Sequence, residues 1–405
     1  MAALPRSFDG PPPAACGSIP DSIDMNLPPC DHSSTLVLIT PSGAQSAGTA
    51  NAAMSQLEDL YELGWDDGFP IALPTRDAVV AMCDTIGIDP DLIVAELPPA
   101  RRRATAGAIA ANAVMAGCRP EYFSVVLTSL LAMTAEEFNL NALQCTTHMV
   151  APLTVVNGPI RHELGLNSGP SVFGPGPRAN ATIGRAIRLA LMNIGGARPA
   201  EMDRSTLGNP AKYSYCIAEN EEASPWPAFH TSRGLNAEQS AVTVIAAESP
   251  HSVTNHVSSE PEEILLSVAS SMATMGANNA YLLGEMLVVL GPEHARSIGA
   301  AGWSRGDTQE FLYANARISM RNLQFGRPVE TRFYNRHWPK WFDRSSDEFY
   351  PVVSSPDSIL VIVAGGDEGR FSAVVPTWGL GGSQTLSIYD ACQGACAIPQ
   401  SMLVP

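Results

Sequence analysis

Apolar and polar residues alternate along most of this chain with the periods of helices and strands. Apolar positions spaced three and four residues apart predict helices over 76–86, 104–118, 121–133, 181–194, 261–276 and 307–317. Short apolar runs predict strands over 152–156, 241–246, 358–364 and 371–375, whereas residues 281–290 fit a helix or a strand equally well. Because helices and strands alternate, we expect an α/β fold with a mixed sheet and flanking helices, in two lobes.

Changes of composition divide this pattern into four regions. Residues 1–50 are rich in Pro, Ser and Gly, which is typical of an extension. We assign 51–235 to an N-terminal α/β lobe, 236–390 to a C-terminal α/β lobe and 391–405 to a tail. Residues 333–341 are basic and aromatic, and we expect them to form an extended surface arm.

The charge balance narrows the choice of partner. The 405 residues include 24 Lys and Arg against 40 Asp and Glu, which gives a net charge of −16 at pH 7. So acidic a protein does not displace the counterions of a nucleic acid or of an anionic lipid surface. We therefore expect no nucleic acid and no membrane as partner, and an anionic substrate requires local arginines.

Targeting and redox signals point to the cytoplasm. The first residues lack the apolar core of a secretory signal, and no apolar run reaches the length of a membrane-spanning helix. The eight cysteines do not have the spacing of a secreted disulfide module. We expect a soluble, cytoplasmic protein with mostly free thiols. The small residues of helix 104–118 suit close packing, which is compatible with a homo-oligomer.

The segment 205–226 carries the densest set of reactive side chains. Residues 213–218 alternate with the period of a short strand, and Glu219, Asn220 and Glu222 follow at its end. The thiol of Cys216 therefore lies near carboxylates that can act as acid and base. The same pattern is also typical of an acidic, solvated turn after a buried strand.

Two cysteines are candidate nucleophiles. Cys118 lies between two predicted helices and next to Arg119, and the start of the second helix can lower the pKa of its thiol. Cys216 needs Lys212, an arginine or a metal to offset its acidic neighbours. For both cysteines the alternative is a buried thiol of the core.

A loop rich in glycine and proline, 174–180, leads into the helix predicted over 181–194. Backbone N–H groups at a helix start attract anions, and we expect Asn180 to cap this helix. The loop lacks the spacing of a dinucleotide-binding fingerprint and the lysine of a phosphate-binding loop, so a structural turn is the alternative. The candidate substrate-binding residues of this chain are Arg178, Asn180, Asn157, Thr182 and Asn220.

A metal site is the alternative to thiol chemistry. Imidazole and carboxylate side chains are ligands for zinc or iron, and the chain offers Glu219, Glu222, His230 and His251. The spacings of these residues do not match a known zinc motif. We therefore leave the cofactor open between none and a divalent metal.

Four segments, 112–122, 157–161, 174–184 and 219–226, resemble a family of largely uncharacterised proteins. The motifs read NAVMAGC, NGPIR, GPGPRANATIG and ENEEASPW, and the resemblance runs from about residue 65 to about residue 385. It implies a single architectural unit but no established reaction. It favours thiol or sulfur chemistry, because some members are encoded near proteins that carry a reactive thiol or selenol.

Together these observations predict an enzyme that acts on a small anionic metabolite by thiol-assisted chemistry, as a transferase or lyase. Cys118 or Cys216 would be the nucleophile, and Glu219 or Glu222 the acid and base. One alternative is a metal-dependent lyase or hydratase. Another is a non-catalytic subunit or interaction protein that uses the arm Phe333–Trp341.

Overall fold

The computed structural model describes residues 58–319 and 349–397. The extension expected for 1–50, the surface arm expected for 333–341 and the last residues of the tail lie outside these ranges. Within the described ranges, none of the helices combines the length and the apolarity needed to cross a membrane.

Two four-stranded sheets form the centre of the described structure. The first sheet contains β3 (Ala151–Asn157), β4 (Cys216–Ala218), β5 (Ala241–Ala247) and β12 (Gln384–Ser387), in the order β12-β5-β3-β4. The second contains β6 (His251–Thr254), β7 (Met286–Leu290), β10 (Ile359–Val363) and β11 (Phe371–Pro376), in the order β10-β7-β11-β6. Two antiparallel pairs complete the strands, β1 (Ile93–Leu97) with β2 (Arg102–Thr105) and β8 (Arg317–Ser319) with β9 (Phe349–Pro351).

The α-helices with defined bounds fall into two groups along the chain. Before β5 they are α1 (Arg76–Asp84), α2 (Ala106–Ala116), α3 (Phe123–Met133), α4 (Leu140–Cys145), α5 (Ile160–Glu163) and α6 (Arg178–Asn193). After β6 they are α7 (Pro261–Met272), α8 (Asn279–Leu282), α9 (Pro292–Ala300), α10 (Arg305–Asn315) and α11 (Ile388–Ala397).

The two sheets share one arrangement of strands. In the first, β3 pairs in parallel with β4 and antiparallel with β5, which in turn pairs antiparallel with β12. In the second, β7, β10, β11 and β6 pair in the same way. The fourth strand of each sheet follows a strand of the other sheet along the chain. Strand β6 follows β5 but joins the second sheet, and β12 follows β11 but joins the first. The segments 155–159 and 288–292 carry the same pattern, Val-Val-x-Gly-Pro, at the ends of β3 and β7.

The two sheets pack face to face through apolar side chains, and helices cover their outer faces. Val155 and Leu287 belong to a core that residues of both sheets share, so the sheets pack against each other. The opposite face of the first sheet, with Val156, packs with residues of α2, α3 and α6. The opposite face of the second sheet, with Val288, packs with residues of α7, α9 and α10. The layers therefore run helix, sheet, sheet, helix.

The predicted α/β fold with mixed sheets and flanking helices is confirmed. The ambiguous stretch 281–290 contains the end of the short helix α8 and then strand β7. The proposed cap of helix α6 is wrong. The helix starts at Arg178 after Pro177, without a side-chain cap, and Asn180 makes other bonds. The division into two lobes stays a prediction.

Candidate active site

Asn157 and Glu219 lie together at the carboxyl ends of the parallel strands β3 and β4. Val156 pairs with Ala218 across these strands, so the next residue along each strand reaches the same edge of the sheet. Val155 and Ile217 face the core between the sheets, and side chains alternate along a strand, so Asn157 and Glu219 point to that same side. Ligand sites of α/β sheets lie at such carboxyl ends.

The Glu219 carboxyl is fully buried and its two oxygens differ. Oε2 accepts two hydrogen bonds, from Asn157 Nδ2 at 2.5 Å and from the Phe229 backbone N–H at 2.7 Å. Oε1 has no hydrogen-bond partner among the described residues. The nearest cation is Arg305, whose Nη2 lies 3.6 Å from Oε1. Oε1 is therefore the oxygen that is available for chemistry.

Burial raises the pKa of Glu219 from 4.5 to about 7. The Phe229 N–H, the Arg305 guanidinium and the Asn157 amide act in the opposite direction, and the Glu221 carboxylate adds to the rise. Because Oε2 already accepts two N–H donors, the titrating proton resides on Oε1. This carboxyl is therefore poised to release or take up a proton near neutral pH.

Arg305 is the first residue of α10, and the local sequence fixes the start of that helix. The Ser304 hydroxyl accepts from the Asp307 N–H at 3.1 Å, and the Asp307 carboxylate accepts from the Ser304 N–H at 2.8 Å, which is a capping box. Arg305 Nη2 donates to the Pro227 carbonyl at 2.7 Å, and the guanidinium lies 5.8 Å from the Trp226 ring centroid. Its buried Nε has no partner among the described residues.

Desolvation lowers the pKa of Arg305, and the Glu219 carboxylate partly restores it. Trp226 Nε1 donates to the carbonyl of Trp303, just before α10, at 2.8 Å. The turn that contains Trp226 and Phe229 is thus joined to both Arg305 and Glu219.

Arg161 holds the acidic turn that follows Glu219. This side chain is buried; its Nε donates to the Gly158 carbonyl at 3.0 Å and its Nη1 to the Glu219 carbonyl at 2.8 Å. Its Nη2 donates to the carboxylates of Glu221 and Glu222, at 2.9 Å each. Glu221 also accepts from the Gly158 N–H at 2.8 Å. The turn therefore has one fixed conformation.

Glu222 differs from Glu219 in charge and exposure. The pKa of Glu222 is lowered to about 2, mainly by the hydrogen bonds from Arg161. A hydrogen bond from the neighbouring His162 lowers it further. The side chain is 58% exposed. It is thus a permanently ionised partner of Arg161, and of the two predicted acid and base residues Glu219 has the better matched pKa.

Cys118 and Cys216 lie in the same apolar core, beside the first sheet. Burial raises the pKa of Cys118 to about 12, although the Thr182 hydroxyl and the Arg178 guanidinium lower it in part. Burial also raises the pKa of Cys216, and the charge of Cys118 adds to this rise. In this conformation both are neutral thiols at pH 7.

The predicted substrate-binding residues make bonds within the protein. Arg178 donates to the Gly117 carbonyl at 2.8 and 3.0 Å, and the Thr182 hydroxyl donates to the Arg178 carbonyl at 2.8 Å. Asn180 accepts from the Asn167 N–H at 2.7 Å and donates to its carbonyl at 3.0 Å. These bonds therefore connect the first turn of α6 to Gly117 and Asn167.

Asn220 has a similar structural environment. Its N–H donates to the Val363 carbonyl at 2.7 Å, and its side-chain amide donates to the Gly365 carbonyl at 3.3 Å. It therefore links the end of β4 to the end of β10 in the second sheet. Among the hydrogen bonds described above, Asn157 is the one of the five candidates that donates to the Glu219 carboxyl.

The histidines of the metal alternative lie in different surroundings. His230 is fully buried in the 3₁₀ turn Phe229–Arg233; its Nε2 lies 3.0 Å from the Asn236 carbonyl, and its Nδ1 has no partner among the described residues. His251 is exposed on β6 of the second sheet. The described ranges contain no group of three or more His, Cys, Asp or Glu side chains arranged to hold a metal ion.

The sequence did not reveal Arg305 or Arg161 as parts of the site. Arg161 follows Asn157 in one of the family motifs, and this proximity is the signal that was available. Arg305 begins a helix far along the chain, and no local pattern connects it with Glu219. In comparisons with known proteins, no family model matches the chain and no curated protein is significantly similar to it.

Proposed function

We propose that this protein is an enzyme that transfers a proton to or from a small polar substrate, with Glu219 as the acid and base. One observation carries the proposal: a fully buried carboxyl with a pKa of about 7 leaves Oε1 unpartnered at the carboxyl end of a parallel strand pair. A strongly perturbed carboxyl in such a place is typical of catalytic sites.

The neighbouring residues have supporting roles in this proposal. Asn157 and the Phe229 N–H fix the orientation of the carboxyl through Oε2. Arg305 supplies positive charge next to Oε1, which suits the anionic substrate expected from the sequence. Arg161 positions the turn and does not contact the Glu219 carboxyl in the bonds described above.

The thiol part of the sequence prediction remains a separate proposal. Cys118 and Cys216 are neutral at pH 7 in this conformation, so a nucleophilic role requires a change that lowers a thiol pKa. The carboxyl needs no such change, and we therefore place the proton transfer at Glu219. The interaction-protein alternative depends on the arm Phe333–Trp341, which lies outside the described residues.

Proton transfer to carbon in D₂O introduces deuterium, which can be detected without knowing the product in advance. The purified protein is incubated in D₂O with a collection of small carboxylic acids, esters and amides, and proton NMR follows conversion and loss of C–H signals. We expect at least one compound to react with the wild type and to be unchanged with Glu219→Gln.

The matched control is Glu163→Gln, which alters an exposed glutamate at the end of α5. It should react like the wild type. Equal conversion by Glu219→Gln and the wild type would disprove the proposed role, and so would the absence of any reaction across the collection.

A further inference from the structure

Three groups at the Glu219 carboxyl each have a buried polar atom without a partner. These atoms are Glu219 Oε1, Asn157 Oδ1 and Arg305 Nε, and each lacks a hydrogen bond among the described residues. Asn157 and Glu219 are fully buried, and the exposed fraction of the Arg305 side chain is 12%. A buried polar group without a hydrogen-bond partner is destabilising and rare in folded proteins, so three of them together point to an occupant.

The three atoms belong to groups that already touch one another. The amide of Asn157 donates to the other oxygen of the Glu219 carboxyl, at 2.5 Å. The guanidinium of Arg305 reaches within 3.6 Å of Oε1, which is too long for a direct hydrogen bond. A polar contact of this length commonly has a water between its two groups.

The donor and acceptor character of the set identifies the occupant. Two of the atoms are acceptors, Glu219 Oε1 and Asn157 Oδ1, and one is a donor, Arg305 Nε. A metal cation would be repelled by the guanidinium, and an anion would be repelled by the two oxygens. A water molecule has two O–H donors and accepts further bonds, and buried waters make about three hydrogen bonds.

We propose that Glu219, Asn157 and Arg305 hold one water molecule and that this water is the second substrate, which makes the enzyme a hydrolase or a hydratase. The inference rests on the proposed role of Glu219 and adds the identity of the group that Glu219 deprotonates.

The reaction balances without any further reagent. Glu219 Oε1 takes a proton from the water as the water oxygen bonds to an electrophilic carbon of the substrate, and the π electron pair of that carbon moves to its neighbouring atom. In hydrolysis the intermediate then collapses, and the departing group takes the proton from Oε1. In hydration the neighbouring atom takes that proton instead. Either way Glu219 returns to its starting state.

Each protein group has a distinct part in this step. Asn157 Oδ1 accepts a hydrogen bond from the second O–H of the water. A lone pair of the water oxygen then points away from Glu219. Arg305 Nε donates to the water oxygen and so fixes the position of the water. Because the site is buried, these dipoles act more strongly than they would in bulk water.

The first test is a high-resolution crystal structure of the full chain, together with Asn157→Leu and Thr154→Val. We expect one ordered water between Oε1 and Arg305 Nε in the wild type and its loss in Asn157→Leu. Thr154 is the matched control: its buried hydroxyl oxygen also lacks a partner, but it lies on the same strand facing the opposite side. Thr154→Val should keep the water.

The second test repeats the reaction found with the compound collection in water labelled with ¹⁸O. We expect the product to carry one solvent oxygen, measured as a mass increase of two units by mass spectrometry. An active compound whose product lacks the label, or a wild-type structure without the water, overturns this inference. Both results leave the acid and base role of Glu219 standing, whereas an unchanged reaction in Glu219→Gln overturns that role.

Discussion

The Asn157 amide donates to the Glu219 carboxyl between the carboxyl ends of two parallel strands, at 2.5 Å. Asn157 also donates to Glu221 at 2.9 Å, so the two carboxylates accept from both N–H bonds of its NH₂ group and fix its orientation. The amide oxygen Oδ1 then has no hydrogen-bond partner among the described residues. The bond therefore defines which oxygen of Glu219 remains free and which atom of Asn157 can bind a ligand.

Glu219 makes the stability of the protein fall as the pH rises through the range between its two pKa values. The carboxyl titrates at about 7 in the folded state and at 4.5 in the unfolded chain, so the folded state binds the proton more tightly. Its contribution is complete below pH 4.5, and above pH 7 about 3 kcal/mol of it is lost. Glu219→Gln removes this dependence.

The measurement is urea unfolding of the wild type and of Glu219→Gln at a series of pH values. The difference in the free energy of unfolding between the two proteins reports on Glu219, because the contributions of the other titrating groups cancel. Glu222→Gln is a useful comparison, since the lowered pKa of Glu222 stabilises the fold above pH 4.5 and the effect is lost as the pH falls towards 2. Identical pH dependence in the wild type and Glu219→Gln would contradict the buried, raised pKa.

Arg161 should contribute far more to stability than an exposed arginine with a single partner. It is buried and bonded to two carboxylates and two backbone carbonyls, so Arg161→Ala leaves Glu221 without its cation in a half-buried site. Breaking a buried ion pair costs about 3–5 kcal/mol. Arg101→Ala, which removes an exposed pair with Glu96, should cost less than about 1 kcal/mol.

Chemical denaturation of both variants at pH 7 measures this contrast. The intrinsic fluorescence of the tryptophans, which include Trp226 near Arg305, follows the unfolding. Should Arg161→Ala lose no more stability than Arg101→Ala, the acidic turn would not depend on the Arg161 bonds.

Local sequence patterns predict the elements and the acidic residues but not their partners. The strands β3 and β5 and the helices α2 and α3 follow from apolar spacing, because each pattern depends on residues next to one another in the chain. Glu219 was found in the same way, at the end of a short alternating run. Its chemistry depends on burial, which is set by contacts between distant segments.

Contacts between distant segments also determine the surroundings of the other candidate residues. The prediction for the cysteines depends on their neighbours in sequence, whereas desolvation in a shared core determines their pKa values. Arg178 and Asn180 are predicted ligand donors; in the structure they bond to Gly117 and Asn167 in other segments, and their role in binding a ligand stays a prediction. The exchange of β6 and β12 between the sheets is likewise a long-range feature.

Cys118 and Cys216 should resist alkylation in the folded protein. Both are less than a tenth exposed, and burial raises the pKa of each thiol, so little thiolate is available to react. Cys396 on α11 is exposed and serves as the internal reference. Iodoacetamide at pH 7 should label Cys396 in the native protein, and all three only after unfolding in urea.

Peptide mass spectrometry quantifies the labelling at each cysteine over time. If Cys118 or Cys216 is labelled in the native protein as fast as Cys396, the thiol nucleophile would become the favoured hypothesis again. In that event the folded protein must populate a conformation in which the thiol is exposed and its pKa is lowered.

Gly184 allows α6 to pack directly against β4 and so supports the strand that carries Glu219. A methyl group added there would lie 2.5 Å from the Tyr215 backbone nitrogen and from the Ser214 hydroxyl, and backbone cannot yield as a flexible side chain does. We expect Gly184→Ala to cost about 1–3 kcal/mol from overpacking. Gly394→Ala, on α11 with open space around the added methyl, should instead stabilise by about 0.5–1 kcal/mol. Thermal unfolding of the two variants gives opposite shifts in Tm if α6 and β4 pack as described, and equal shifts would contradict that packing.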